Sequence, residues 1–207
     1  MSRLLKIYRH RNYVWPNELE PPARTVEIRS IERESVSEAE RLRSASVATA
    51  FLRFIDSGRF GVFAVVDGTA VGHAWVTRPV HKPQVLNTYA RLAAGESLIH
   101  YCYVAPEQRG QGIYAQMLHE TAAWAREHGA TRVTVDTSTD NVASQKGIQR
   151  AGFVEVAPTT SVVIGRRLVY NKQHGRSHRG AADPATNQSG SETVEGQDRR
   201  GHEERDL

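Results

Sequence analysis

The segment Arg109-Gly110-Gln111-Gly112-Ile113-Tyr114 constrains this chain more than any other, because it joins a strand pattern directly to a helix pattern. Before it, residues 97–104 are rich in β-branched and aromatic residues and are closed off by Pro106. After it, Ile113, Met117, Leu118, Ala122 and Ala125 recur at helical spacing until Gly129 stops the run. A glycine pair at such a junction lets the backbone approach a ligand closely, and the unpaired N–H groups of a helix's first turn favour an anion. The ligand predicted there is a phosphate or pyrophosphate. The competing reading is a glycine pair that only makes a tight turn.

A second pattern follows downstream. Residues 132–136 read as a strand, Asn141-Val142-Ala143-Ser144 opens a short helix that runs to Ala151, and Gly152-Phe153 ends it. Over about 26–170 this succession resembles the GCN5-related N-acetyltransferase (GNAT) superfamily. The resemblance implies an α/β protein with a mixed central sheet and helices on both faces, the acyl-CoA N-acyltransferase fold, and acetyl-CoA as co-substrate. In that family the first turn reads Gln or Arg, two variable residues, Gly, one variable residue, then Gly or Ala, and its backbone amides hold the cofactor's pyrophosphate. Carried onto this chain, the cofactor turn is Arg109, Gly110, Gln111, Gly112, Ile113 and Tyr114. Arg109 and Gly112 fit the consensus, whereas Tyr114 stands where Gly or Ala is usual, a side chain that must point away from the phosphates. The resemblance further implies that the central strand parts from the next one, so that the backbone of Cys102, Tyr103 and Val104 pairs with the pantetheine arm. It also implies a hydrogen bond from Asn141 to CoA, with Ser144 beside it in the cofactor site.

Direct transfer to an amine needs a neutral nucleophile, hence a base for the incoming ammonium and an acid for the leaving thiolate. In an unbroken strand of period two, His100 shares a face with Leu98, Cys102 and Val104, and Tyr101 and Tyr103 point the other way. A histidine has an unperturbed pKa of about 6.5, and some amine acetyltransferases of the superfamily carry one at the matching strand position. His100 is therefore the expected general base, with a hydrogen-bonded core histidine as the alternative. Glu96 is the second candidate, acting directly or through water, or else simply solvated at the strand start.

The acid departs from the family pattern. Many members place a tyrosine seven residues after the helix-opening asparagine, and here that position is Ile148, which cannot donate a proton. Gly147 beside it signals close approach of ligand or backbone. The proton donor is then Ser144 through water, one of Tyr101, Tyr103 and Tyr114, or none, the thiolate leaving unaided.

The remainder of the chain bounds the class. With 207 residues, 39% of them hydrophobic, it can bury one core of ordinary size. The reading is an N-terminal arm over 1–25, an acetyltransferase domain over 26–173 and a disordered tail over 174–207, which is almost free of large apolar residues. No run approaches the ~18 apolar residues of a membrane span, and charge interrupts the first residues too soon for a secretory signal, so a cytoplasmic protein is expected. Cys102 is the only cysteine, which excludes an internal disulfide and a cysteine-rich metal site; a packed thiol is expected there. A net charge of +4 is small and scattered. Only the arm, with Arg3, Lys6, Arg9 and Arg11 among Tyr8, Tyr13 and Trp15, resembles a nucleic-acid surface; the plainer reading is an edge strand or arm packed on the domain or on a homodimer partner.

Asp67-Gly68 marks a hairpin between strands at 60–66 and 70–77. Helical material is expected over 37–55, an irregular substrate-side loop over 78–95, and final strands at 154–156 and 162–170 around a turn at Pro158. The function expected is acetyl-CoA-dependent N-acetylation of a primary amine, on a small molecule or on a protein. The alternatives are an acyl-CoA-binding sensor and a nucleic-acid-associated protein.

Overall fold

Eight strands make one sheet in the computed structural model, which describes residues 5–16, 20–86, 90–165 and 167–174. In chain order the elements are β1 (Leu5–Val14), β2 (Glu27–Ser30), α1 (Ser37–Leu42), α2 (Ala45–Asp56), β3 (Phe60–Val66), β4 (Thr69–Val76), β5 (Gln84–Val85), β6 (Arg91–Leu92), β7 (Glu96–Val104), α3 (Ile113–Glu127), β8 (Arg132–Ser138), α4 (Val142–Arg150), β9 (Val154–Ile164) and β10 (Arg167–Gln173). The sheet order is β10-β9-β1-β8-β7-β4-β3-β2, and β5 pairs only with β6. β7 and β8 are parallel and the other ladders antiparallel. The 3.6-residue period that marks α3 turns Leu118, Ala122 and Ala125 onto Ile99, Val133 and Val135, and Ile148 of α4 joins them. α1 and α2 cover β3 and β4 on the other face, where Phe51 meets Trp75 and Phe63 with ring centroids 4.9 and 6.0 Å apart.

Several boundaries differ from those expected, each for a local reason. The helix over 37–55 is two helices, because Ser44 takes an extended conformation and starts α2 afresh. Pro158 makes no turn. It lies inside β9 where the register against β1 jumps from Asn12↔Val156 to His10↔Thr159, and at such a bulge a proline need not donate to the ladder. Gly165, with φ 64°, makes the turn to β10 instead. The hairpin at Asp67-Gly68 is as expected, with both φ values positive, 48° and 73°.

The largest difference concerns the N-terminus. Residues 5–14 form neither an edge strand nor an arm: β1 is an interior strand, antiparallel to β8 on one side and to β9 on the other. Of the expected tail only His174 lies within the described residues, and its N–H donates to the Pro158 carbonyl (2.8 Å). Among the described residues no helix is long and apolar enough to cross a membrane.

A bulge interrupts β7. Its pairing with β4 runs Val76↔Ile99 and Trp75↔His100, then resumes at His73↔Tyr103, so β7 carries one residue more than its partner. Tyr101 absorbs it with φ 54°. His73, 1% exposed, donates its Nδ1–H to the Tyr101 carbonyl at 2.8 Å. Burial lowers the His73 pKa to about 4.

This histidine links stability to pH. Its folded pKa lies below the unfolded value, so its contribution is present in full above about pH 6.5 and is lost as pH falls towards the folded value. For this one group the loss between about pH 7 and 5 is about 2 kcal/mol. Urea unfolding of wild type and His73→Phe at both pH values measures it as the difference between their pH slopes; equal slopes would show that His73 charges freely in the fold.

Candidate active site

Where β7 and β8 stop pairing, the sheet opens. Their ladder runs from Glu96↔Arg132 to Ile99↔Val135, yet β7 continues to Val104 and β8 to Ser138. Beyond Ile99 the β8-facing edge of β7 is without a ladder partner among the described residues. A cavity of about 500 Å³ lies against this edge, lined by Cys102, Tyr103 and Val104, by the 108–112 turn, by the first turn of α3 and by α4.

The turn has the conformation its glycines permit. Gly110 and Gly112 have φ 84° and 77°, in the left-handed region. Gly112 is the N-cap of α3, and no described side chain caps that end. The first helical bond is Gln116 N–H to the Gly112 carbonyl (3.2 Å), so the N–H groups of Ile113, Tyr114 and Ala115 precede the ladder and have no intrahelical acceptor. No acidic side chain occupies this turn, and Arg109, Lys146 and Arg150 line the cavity. These residues fit a phosphate-bearing group: N–H donors and the positive end of a helix dipole face a roomy, cationic cavity. Arg109 also ties the turn to the strand, its Nε donating to the Val104 carbonyl at 3.2 Å. Gln111 donates its side-chain amide to Gln108 (3.2 Å).

α4 supplies the facing wall. Asn141 caps it, its Oδ1 accepting from the Ser144 N–H at 3.1 Å. Ser144 Oγ lies 3.3 Å from the Tyr114 hydroxyl. The Tyr114 ring crosses Gly147 so closely that a Cβ there would lie 2.6 Å from the ring. The close approach that Gly147 announces is therefore that of a tyrosine ring. Ile148, fully buried in the core under α3 and α4, takes no part in the cavity.

The bulge divides the face expected for β7: Cys102 and Val104 stay opposite Tyr101 and Tyr103, but His100 parts from Cys102. Cys102 and Val104 pack on the α3 side, whereas His100, Tyr101 and Tyr103 lie on the α1–α2 side. There Phe54 meets His100 (5.1 Å) and Tyr101 (5.3 Å), and Tyr103 stacks on His73 (5.7 Å) with the Arg43 guanidinium 4.2 Å above its ring. His100 is thus parted from Cys102, with which it was expected to share a face, and Phe54 and Arg59 lie against its ring. Its Nε2 accepts from Arg59 Nη1 at 3.1 Å, and burial together with the Arg59 charge lowers its pKa to about 3. Burial pushes the Cys102 thiol up to about 12, the behaviour of a packed thiol.

Glu96 faces a different cavity, of about 360 Å³, on the sheet face away from α3 and α4. Its oxygens are taken by Arg132 Nε (3.5 Å) and by the Ala93 N–H (2.9 Å), so it anchors the end of the 78–95 loop. It sits three residues before the last β7–β8 pair, roughly 10 Å along the strand. The same cavity holds two residues that the sequence alone did not single out, His10 of β1 and Asp136 of β8, hydrogen-bonded through Nδ1 and Oδ2. The strand-like mix of Leu5, Ile7, Tyr8, Tyr13 and Val14 was the available signal, but pairing across 126 residues leaves no local mark.

Comparison with known proteins gives the same frame. A GNAT-family protein from Novosphingobium aromaticivorans superposes with a TM-score of 0.58 at 14% identity, over 78% of this chain and 66% of that one. A GNAT-family acetyltransferase from Colwellia psychrerythraea gives 0.56 at 19% identity, over 80% and 58%. This chain therefore spans less than two thirds of the length of either. The aminoglycoside N-acetyltransferase AAC(6′)-Iy, in complex with CoA, gives 0.51 at 21% identity, over 72% of this chain and all of that one. At such identities these are likenesses of fold. No curated protein matches the sequence. The model of the acetyltransferase (GNAT) family matches residues 25–153, which takes in the cofactor turn, the parted strands and the α4 wall, and by that match over more than half its length this chain belongs to the acetyltransferase (GNAT) family.

Proposed function

We propose that the protein transfers the acetyl group of acetyl-CoA directly to a primary amine of a small molecule, both substrates being bound together. The observation that carries this reading is the uncapped, glycine-shaped start of α3 at the end of a strand edge left open by the parting of β7 from β8. AAC(6′)-Iy has been solved with CoA and with a bisubstrate analogue, CoA-S-monomethyl-acetylneamine, and shares this fold. Bound acetyl-CoA supplies the activated acyl carbonyl. The N–H groups of Ile113, Tyr114 and Ala115, with Arg109, hold its pyrophosphate, and the backbone of Cys102 and Tyr103 aligns the pantetheine arm. Asn141 and Ser144 border it from α4.

Tyr114 takes the part of the missing tyrosine at Ile148. Burial raises its pKa, so the hydroxyl stays protonated, and Ser144 orients it beside Cys102. It is the proton donor to the departing thiolate.

Thiol release from acetyl-CoA across a panel of amines tests the reading; acetyl-CoA binding without release in the presence of every amine would identify a sensor instead. Gly112→Asp puts a carboxylate at the phosphate site and is expected to abolish acetyl-CoA binding in calorimetry. Gly129→Asp is the matched control, since Gly129 has φ 89° but lies past the far end of α3, and its acetyl-CoA affinity should stay within a few-fold of wild type. Equal losses in the two variants would mean that backbone strain, not the anion site, is being measured. Tyr114→Phe should lower kcat by ~10²-fold with acetyl-CoA affinity retained; an unchanged kcat would remove Tyr114 from the mechanism.

A further inference from the structure

The cavity of about 360 Å³ on the face away from α3 and α4 gathers side chains from β6, β7, β8, β1, β9 and β10. Within it His10 and Asp136 form a side-chain pair, 13% and 15% exposed. Asp136 stands one residue beyond Ile99↔Val135, the last β7–β8 pair, and so at the mouth of the parting. Burial is the main cause of the raised pKa of Cys102 and of Tyr114, and the Asp136 charge, across that opening, adds the smallest push to each. One residue thus borders the second cavity and acts on the lining of the first.

Resting on the acetyl-transfer reading, we propose that this cavity is the acceptor site, that it takes a small primary amine bearing hydroxyl groups, and that His10, oriented by Asp136, accepts the proton of the incoming ammonium. Size favours a small molecule over a polypeptide, since the cavity lies at the low end of the ~300–1,000 Å³ of ligand pockets. Its far wall is uncharged: beside Val156, the linked pairs Asn12–Thr159 and Asn171–Ser161 keep amide and hydroxyl oxygens with lone pairs that can accept from hydroxyl groups. Among the carboxylates, Glu96 is already matched by Arg132, so a cation gains most beside Asp136.

The pair divides the work by basicity. A carboxylate is a weak base near neutrality, with a reference pKa of about 3.9, against about 6.5 for imidazole. With Nδ1 donating to Asp136, the lone pair of neutral His10 is on Nε2, and the carboxylate stabilises the imidazolium that forms. His10 takes one ammonium proton. The lone pair so released forms the C–N bond as the C–S bond breaks, the second nitrogen proton is lost to solvent, Tyr114 protonates the sulfur and is reprotonated, and His10 returns its proton to water. The balance is ammonium plus thioester giving amide, thiol and one proton.

Among the described residues, the charged and titratable groups bordering the cavity besides His10 are Asp136 and Arg132 of β8, Glu96 of β7 and Arg91 of β6; β9 and β10 contribute only uncharged side chains. Tyr8, on β1 itself, meets the His10 ring edge-on at 6.2 Å. Protonated His10 cannot act, so kcat/KM rises with pH.

The experiment uses the full chain with D-glucosamine as probe and benzylamine as the apolar control. Three readouts are taken: thiol release against pH, acetyl-CoA calorimetry, and the His10 Cε1–H resonance during glucosamine titration of the CoA-bound wild type, which cannot turn over. The expected results are a His10 shift with glucosamine and none with benzylamine, and in His10→Gln a ~10²-fold fall in kcat/KM, loss of the rising limb and acetyl-CoA affinity within a few-fold of wild type. Asp136→Asn keeps the shape of the pair and should move the limb to lower pH with a ~10-fold fall. An unchanged limb in a His10→Gln variant that still binds acetyl-CoA, or no His10 shift with glucosamine, overturns the proposal and leaves acetyl transfer standing. Failure of wild type to bind acetyl-CoA overturns both.

Discussion

The separation of β7 from β8 after a four-pair parallel ladder is the constraint on which everything else in the molecule depends. A bulge beside it turns the strand. Tyr101 in the left-handed region costs on the order of 1–3 kcal/mol, and its contacts with Phe51, Phe54 and His73, each about 0.5–1.5 kcal/mol, are of a size to hold it there. The hydrogen bond from buried His73 to the Tyr101 carbonyl fixes the extra residue in place. With the extra residue in place, Cys102 and Val104 belong with α3, and the rings of His100, Tyr101 and Tyr103 belong with α1 and α2.

What was legible in the sequence was what short windows determine. The turn at Gly110 and Gly112, the period of α3, the asparagine cap of α4 and the Asp67-Gly68 hairpin each depend on residues within a few positions of one another. The faces of β7 were not legible, because an alternation argument assumes an unbroken strand and nothing in Ile99-His100-Tyr101-Cys102-Tyr103 announces a bulge. That one slip moved His100 to the wrong side. Gly147 was half legible: glycine announced a close neighbour, but the neighbour is a ring from 33 positions earlier on a different helix. The place of β1 and the passage of β9 through Pro158 are set by partners far along the chain, beyond the reach of any local pattern.

The two faces of the sheet divide the chemistry. On the α3 and α4 side, N–H donors and cationic side chains surround a cavity suited to phosphate. On the other side, a smaller cavity is bordered by the pairs His10–Asp136 and Arg132–Glu96, by Arg91 and by uncharged side chains of β9 and β10. The gap between β7 and β8 is where the two sides meet, and Asp136 stands at it, one residue past the last pair.

The interior position of β1 has a consequence for how the molecule comes into being. Its partners, β8 and β9, begin at Arg132 and Val154, so β1 leaves the ribosome long before there is anything in the sheet for it to dock against. The sheet from β2 to β8 is built from neighbours closer in sequence, whereas seating β1 closes loops of well over a hundred residues. Insertion of the N-terminal strand is thus a late event in folding. Until it happens, the exposed edge of β8 is a vacant template for another strand, and a nascent or freshly diluted chain is most exposed to mispairing at that edge.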